Sequence, residues 1–171
     1  MLSLAGQLNP EVTYLLGDMR SVQLVKTFNA VICLDSINYM LASEDLRATF
    51  TTAWHHLNLG GVFLTLPEVT VKSFQQNKTV CRTHTQGDIE ITFIENDYDP
   101  DPTDTTYEAT FIYLIRRGDR LEIETDRHLC GIFELETWHT LLEEAGFEVR
   151  QMEFEASASE TYPMFVCIKP P

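Results

Sequence analysis

Basic side chains are scarce. Twelve Lys and Arg stand against 26 Asp and Glu in 171 residues, a formal charge of −14. That balance argues against nucleic acid and anionic membrane as partners, because both need a basic footprint. Cysteine is sparse as well. Cys33, Cys81, Cys130 and Cys167 lie far apart, without the paired spacing of a metal site. Each sits among apolar residues, which suggests reduced core thiols, no metal, and an intracellular, cytoplasmic setting. No apolar run approaches membrane-spanning length, and residues 1–6 lack the basic segment and long apolar core of a signal peptide. What remains is an acidic chain long enough for a real core and suited to a small-molecule ligand.

The most informative stretch is 28–39, Phe-Asn-Ala-Val-Ile-Cys-Leu-Asp-Ser-Ile-Asn-Tyr. The unbroken apolar run 30–34 predicts a strand of a parallel sheet, buried on both faces. It stops at Asp35 and Ser36, and a helical pattern begins at Ser43. Strand, polar tip and helix make half of a βαβ unit, and ligands of open α/β sheets bind beyond such carboxyl ends. Asp35, Ser36, Asn38 and Tyr39 therefore stand where a ligand would be. The competing reading is a loop that only caps the next helix.

Upstream, residues 1–9 read as helix ending at Asn9-Pro10, a piece too short to stand unpacked. Residues 12–16 read as a strand closed by Gly17-Asp18-Met19-Arg20. Downstream, Ser43 is the expected N-cap of a helix with Leu46, Phe50, Ala53, Trp54 and Leu57 on one face and Gly60-Gly61 at its end. His55 and His56 are adjacent, so they point apart, cannot share a metal, and read as surface and rim residues. Residues 62–66 form a third buried strand ending near Glu68. Asp18, Asp35 and Glu68 are thus three acids expected near one edge of the sheet.

From residue 78 the period changes to two. Ile89, Ile91 and Phe93, then Tyr107, Ala109, Phe111, Tyr113 and Ile115, then Leu121 and Ile123, mark antiparallel strands. Arg117-Gly118-Asp119 reads as a hairpin turn rather than an adhesion sequence. Asp97, Asp99, Asp101 and Glu108 imitate calcium-loop spacing, but Pro102 replaces the required glycine, so a stiff acidic loop is the better reading. A last helix, 134–145 with Gly146 as its cap, precedes strands at 147–156 and 162–169, close enough through 156–160 to pair antiparallel.

In order and spacing, Gly17-Asp18-Met19-Arg20, Asp35-Ser36-Ile37-Asn38-Tyr39, the segment 56–64 (His-Leu-Asn-Leu-Gly-Gly-Val-Phe-Leu) and the segment 142–149 (Leu-Glu-Glu-Ala-Gly-Phe-Glu-Val) resemble class I S-adenosylmethionine-dependent methyltransferases. The resemblance covers nearly the whole chain, and some bacterial members, the amino-sugar N-methyltransferases among them, carry a similar β-meander. It implies an α/β fold, a Rossmann-like methyltransferase sheet that is N-terminally truncated, with an antiparallel β-meander insertion. The expected division is one domain in three parts: 1–77 parallel α/β, 78–131 meander, 132–171 closing helix and strand pair. It also implies S-adenosylmethionine as cofactor, with Asp18 and Met19 at the adenine and Leu34, Asp35, Ser36 and Tyr39 at the methionine portion. His128, in the meander, becomes a candidate base toward a small-molecule methyl acceptor.

The chain departs from that family at one point. It contains no Gly-x-Gly, and the strands that would carry the glycine loop and the ribose-binding acid are missing. In the family order 3-2-1-4-5-7-6, this removes the neighbour of strand 30–34. Two expectations follow: strand 12–16 moves beside that edge, or another chain covers it as a homodimer or other association. Two functions follow as well: methyl transfer by the C-terminal portion of an enzyme, or a non-catalytic, methyltransferase-like interaction or dimerisation module.

Overall fold

The computed structural model describes residues 1–157 and 160–171. Two four-stranded sheets organise them. Helix α1 (Leu2–Leu8) leads through coil to β1 (Phe28–Cys33) and a 3-10 helix (Asp35–Tyr39). Next come α2 (Ser43–His55), β2 (Leu57–Thr65), β3 (Lys78–Gln86), β4 (Ile89–Tyr98), β5 (Thr106–Arg117) and β6 (Arg120–Gly131). The chain closes with α3 (Leu135–Glu144), β7 (Glu148–Ser157) and β8 (Glu160–Ile168). The first sheet has the order β1-β2-β8-β7; β1 and β2 are parallel and the other pairs antiparallel. It is the 4-5-7-6 portion of the family order. The second sheet is the meander β3-β4-β5-β6, antiparallel throughout.

Both long helices cover one face of the first sheet. Leu46, Phe50 and Ala53 of α2 and Trp138, Leu141 and Leu142 of α3 are buried in the same cluster as Phe63, Phe165 and Cys167 of the sheet. The register puts Val31, Phe63 and Cys167 in one row beneath them. The next row, Ile32, Leu64 and Val166, points the other way, because successive strand residues alternate faces. Ile32 is 63 % exposed. The expectation of burial on both faces of β1 is therefore corrected: helices cover one face only.

Local chemistry explains the joints. Gly146 has φ +101, and the Gly146 N–H donates to Glu143 O at 2.9 Å while the Phe147 N–H donates to Leu142 O at 3.2 Å. This left-handed glycine stop ends α3 as the sequence suggested. Gly60 and Gly61 do not end α2, whose first residue is Ser43 and whose last is His55. They lie inside β2, where Gly60 at φ +75 sits in a bulge: Phe28 pairs with Leu57, but Ala30 pairs with Val62. The buried Lys169 ammonium donates to Trp54 O at 2.9 Å and Leu57 O at 2.8 Å, closing the carboxyl end of α2.

Two further expectations are corrected. Residues 12–16 form no strand; Leu16 is 91 % exposed, and no strand lies along the outer edge of β1 among the described residues. A strand exists only by pairing, and this segment has no partner. His56 is buried rather than at the rim. Its Nε2 accepts the Leu24 N–H at 2.8 Å, so Nδ1 carries the proton and donates to Thr52 O at 2.7 Å. Helix α1 buries none of its residues.

The acidic loop behaves as a turn. Asp99 accepts the Asp101 N–H, Asp101 the Thr103 N–H, and Asp104 the Thr106 N–H, each two residues on. Gly118, with φ +59, opens the β5–β6 hairpin. β7 and β8 pair from Glu148↔Ile168 to Ser157↔Glu160. Of the link expected between them, residues 158 and 159 lie outside the described residues.

Candidate functional site

The carboxyl ends of β1 and β2 carry the polar cluster. In the 3-10 helix after β1, Ile37 and Asn38 are buried and anchor the turn, leaving Asp35, Ser36 and Tyr39 exposed. Above it stands one face of the meander. The pairing register puts Tyr113, Phe111 and Ala109 of β5 in line with Phe93, Glu95 and Asp97 of β4 and with Glu124, Asp126 and His128 of β6.

Tyr39 Oη is hydrogen-bonded to His128 Nδ1. His128 Nε2 meets Asp126 Oδ2 at 3.0 Å. The imidazole is set edge-on to Phe111, with ring centroids 4.8 Å apart. The hydrogen bond from His128 holds the Asp126 carboxyl below its usual range, so it is an anion that accepts. Burial pushes the Tyr39 phenol up, aided by Cys130, Asp126, Tyr113 and Glu68, so it stays neutral.

Beside this array Asp35 and Glu68 follow neighbouring strand ends, Cys33 of β1 lying opposite Thr65 of β2. Burial and then the charge of Asp35 push Glu68 up to about 7. Burial and Glu95 push Asp97 up to about 6, against the opposing pull of Lys78. Asp97 Oδ1 is buried without a hydrogen-bond partner.

Two clefts open here. A groove of about 530 Å³ runs along β1 under α2, lined by Met19, Val31, Ile32, Leu34, Asp35 and Ser36 among others. A cleft of about 590 Å³ lies between the sheets, lined in part by Glu68, Asp97, Glu153, Glu160, Phe74 and Tyr162. Asp35 lines the first and Glu68 the second.

The structure sorts the candidate residues into three places. Met19, Leu34, Asp35 and Ser36 share the groove, where Met19 Sδ lies 3.8 Å from Cys33 Sγ. Tyr39 and His128 meet on the meander side. Asp18 stands apart: it accepts from the Arg20 N–H at 2.9 Å, from Nε at 3.0 Å and from Nη2 at 2.7 Å, while Arg20 Nη1 reaches Asp45 at 2.7 Å. Arg20 thereby lowers Asp18 to about 2. Of the three acids expected at one edge, Asp35 and Glu68 follow neighbouring strand ends and Asp18 does not join them. Sequence reasoning passed over Asp126 and read Asp97 only as part of an acidic loop, whereas it lies in β4. The signal for Asp126 was present, since a residue two before a strand histidine shares its face.

These residues fit one wall of a nucleotide-like cofactor. Asp35 and Ser36 offer polar groups at the end of β1 and Met19 an apolar flank, but the remaining groove lining is mostly aliphatic. Asp18 presents both oxygens to Arg20.

No protein-family model and no curated protein matches this sequence. Solved structures do match. DesVI of Streptomyces venezuelae is 22% identical, with 99% of this chain and 70% of that chain aligned at a TM-score of 0.88. The S-adenosylmethionine-bound amino pentose methyltransferase CalS10 of Micromonospora echinaspora is 21% identical over 98% of this chain and 69% of that one, with a TM-score of 0.85. An S-adenosylmethionine-dependent methyltransferase of Clostridium acetobutylicum is 16% identical over 99% and 71%, with a TM-score of 0.79. At such identities the likeness is one of fold, and the chain carries the α/β, Rossmann-like fold of the class I S-adenosylmethionine-dependent methyltransferases.

Proposed function

We propose that this chain is the acceptor-binding and C-terminal part of an S-adenosylmethionine-dependent methyltransferase acting on a small-molecule amine. The observation that carries the reading is the placing of Asp35 in the groove along β1 and of Glu68, after the neighbouring strand, in the cleft between the sheets. A cofactor in one and an acceptor in the other would meet at these strand ends. The groove wall from Leu34 to Ser36, with Met19, would hold the cofactor, whose sulfonium supplies the methyl group. The acceptor belongs in the cleft, where Glu160 is held by Arg82 and Lys72 and Lys78 face Glu68, Asp97 and Glu153, but the unpartnered Asp97 Oδ1 favours an ammonium-bearing molecule and Phe74 and Tyr162 offer apolar surface. CalS10 is described as an amino pentose methyltransferase and KedS8 as a sugar N-methyltransferase, which supports an amino sugar as the acceptor class. The chain's own contribution is to orient the acceptor, exclude water and accept a proton near Tyr39 and His128.

The groove lining accounts for only part of cofactor affinity. A lost hydrogen bond to a charged group costs about 1.5–3 kcal/mol. Losing several erases most of the roughly 8 kcal/mol of a micromolar complex. Calorimetry on the 171-residue chain is expected to show S-adenosylmethionine binding no tighter than about millimolar. A chain extended by a glycine-loop strand and helix is expected to bind it and to methylate an amino sugar, read by mass spectrometry. Micromolar binding by the bare chain that weakens on Asp18→Ala would show the site complete as it stands. An extended chain that binds cofactor and methylates no amine would overturn the proposed function.

A second reading, an interaction or dimerisation module, draws on the unpaired outer edge of β1 and the exposed Ile32. A dimer in sedimentation that Ile32→Lys dissociates would favour it; an extended chain that sediments as a monomer with the edge protected from hydrogen exchange would exclude it.

A further inference from the structure

The proposed methyl transfer gives His128 the part of a base, and the geometry around it redistributes that role. We propose that Tyr39 is the group that meets the acceptor, with His128 behind it as proton sink and Asp126 as the positioning residue that fixes the imidazole tautomer. The inference rests on the methyltransferase reading for its substrate, but not for its geometry.

Lone pairs decide the roles. An imidazole has two nitrogens, and both are engaged here: Nδ1 by Tyr39 Oη, Nε2 by Asp126 Oδ2 at 3.0 Å. The Asp126 carboxylate only accepts, so Nε2 carries the hydrogen. In the neutral ring Nδ1 is then bare and takes the Tyr39 hydroxyl hydrogen. No lone pair of His128 is left for a substrate. Tyr39 oxygen still has one, and Tyr39 is 47% exposed while the His128 side chain is 27% exposed. The Phe111 edge contact fixes the ring plane, and Asp126, Phe111 and His128 share one face of the meander, so the three are held by rigid strands. Tyr39 comes from the other sheet's 3-10 helix. The array therefore spans the two halves of the molecule.

The proton step balances within it. As an acceptor nitrogen gives up its proton to the Tyr39 oxygen, the Tyr39 hydroxyl proton passes to His128 Nδ1. His128 becomes an imidazolium between a neutral phenol and the Asp126 carboxylate, and later releases the proton to water. The titratable groups facing Tyr39 are Cys130, Asp126, Tyr113 and Glu68.

Nitrogen-15 NMR of the five histidines, with His128 assigned by its loss in His128→Gln, tests the array without cofactor or substrate. At alkaline pH the expected signature is one tautomer, protonated at Nε2, that becomes a mixture in Asp126→Asn. Tyr39→Phe should leave the tautomer in place and shift the His128 Nδ1 resonance, which loses its hydrogen-bond donor. A protonated Nδ1 in the neutral ring, or a tautomer indifferent to Asp126→Asn in a folded variant, would overturn the proposal. In an active extended chain, Tyr39→Phe should lower kcat by roughly 10²-fold with KM little changed, and Asp126→Asn should shift the pH profile. A Tyr39→Phe enzyme with unchanged kcat would remove Tyr39 from the chemistry; absence of any methyl transfer in the wild type would count against the proposed function and leave the NMR result standing on its own.

Discussion

The two sheets differ in how each strand finds its neighbours. In the meander every strand is followed by its partner through a short connection, and the two tightest, at Gly87 and Gly118, use left-handed glycines. In the first sheet β1 reaches β2 only through α2, and β2 pairs with β8, about a hundred residues away in sequence. Local pairing makes the meander self-sufficient in hydrogen bonds but thin in core: its buried cluster is Tyr107, Ala109, Cys130 and Ile132. The first sheet has the larger core, between one face and two helices, and an unpaired edge at β1. Stability is thus concentrated in one sheet, and the polar chemistry in the seam between the two.

The largest difference is expected when each core is emptied. Phe63 is fully buried between α2, α3 and β8, and packs on Phe50 and Phe147. Phe63→Ala is expected to cost about 3–5 kcal/mol in denaturant unfolding. Ile132→Ala, in the smaller buried cluster of the meander, is expected to cost less, about 2 kcal/mol. Equal costs would mean that the two sheets do not differ in this way.

The same contrast explains what was legible in the sequence. The meander strands follow from a period of two, and β1, α2, α3 and the closing pair from apolar runs, helical spacing and Gly146. Residues 12–16 carry good strand residues, yet strand propensity is realised only against a neighbour, and sequence does not show that none is present. His56 was misread because its partner, the Leu24 N–H, comes from an irregular loop. At the site, Tyr39, Asp35, Glu68 and His128 were identifiable by position. Their grouping was not, because Tyr39 and His128 meet across 89 residues of sequence. Asp18 was identifiable only as a motif; Arg20, two residues on, decides what its oxygens do.

Glycine substitutions separate the two sheets by a smaller amount. Gly146, at the end of α3, has φ +101, and an added Cβ would lie 3.0 Å from Trp54 Nε1. Gly146→Ala combines backbone strain with a displaced buried indole, an expected loss of about 2–3 kcal/mol. Gly118 in the meander has φ +59, and a Cβ there would meet nothing within 4 Å. Gly118→Ala carries the strain alone, about 1 kcal/mol. Thermal unfolding distinguishes them; a costlier Gly118 variant would place tighter packing in the meander than the structure does.

The smallest effect expected is a difference in sign with pH. Asp18, beside the first sheet, is lowered to about 2 by Arg20, so its contribution is present above the ordinary carboxylate range and lost as pH falls through the folded value. Asp97, on the meander face, is raised from 3.8 to about 6, chiefly by burial and then by Glu95. Between those two values the folded chain binds more protons at Asp97 than the unfolded chain, so stability declines as pH rises through the window and is level above it. A shift of two units corresponds to about 3 kcal/mol, and water at this half-buried site reduces it to roughly 1 kcal/mol. Asp97→Asn keeps the shape and removes the titration. Measured from pH 4 to pH 6 by denaturant unfolding, the wild type should lose stability relative to Asp97→Asn, and the two curves should run parallel above about pH 7. Glu68 titrates higher, at about 7, so repeating the pair in Glu68→Gln should leave the Asp97 difference in place. Parallel curves across the whole range would mean that Asp97 is solvated like any surface acid, and that the seam between the sheets is wetter than its geometry indicates.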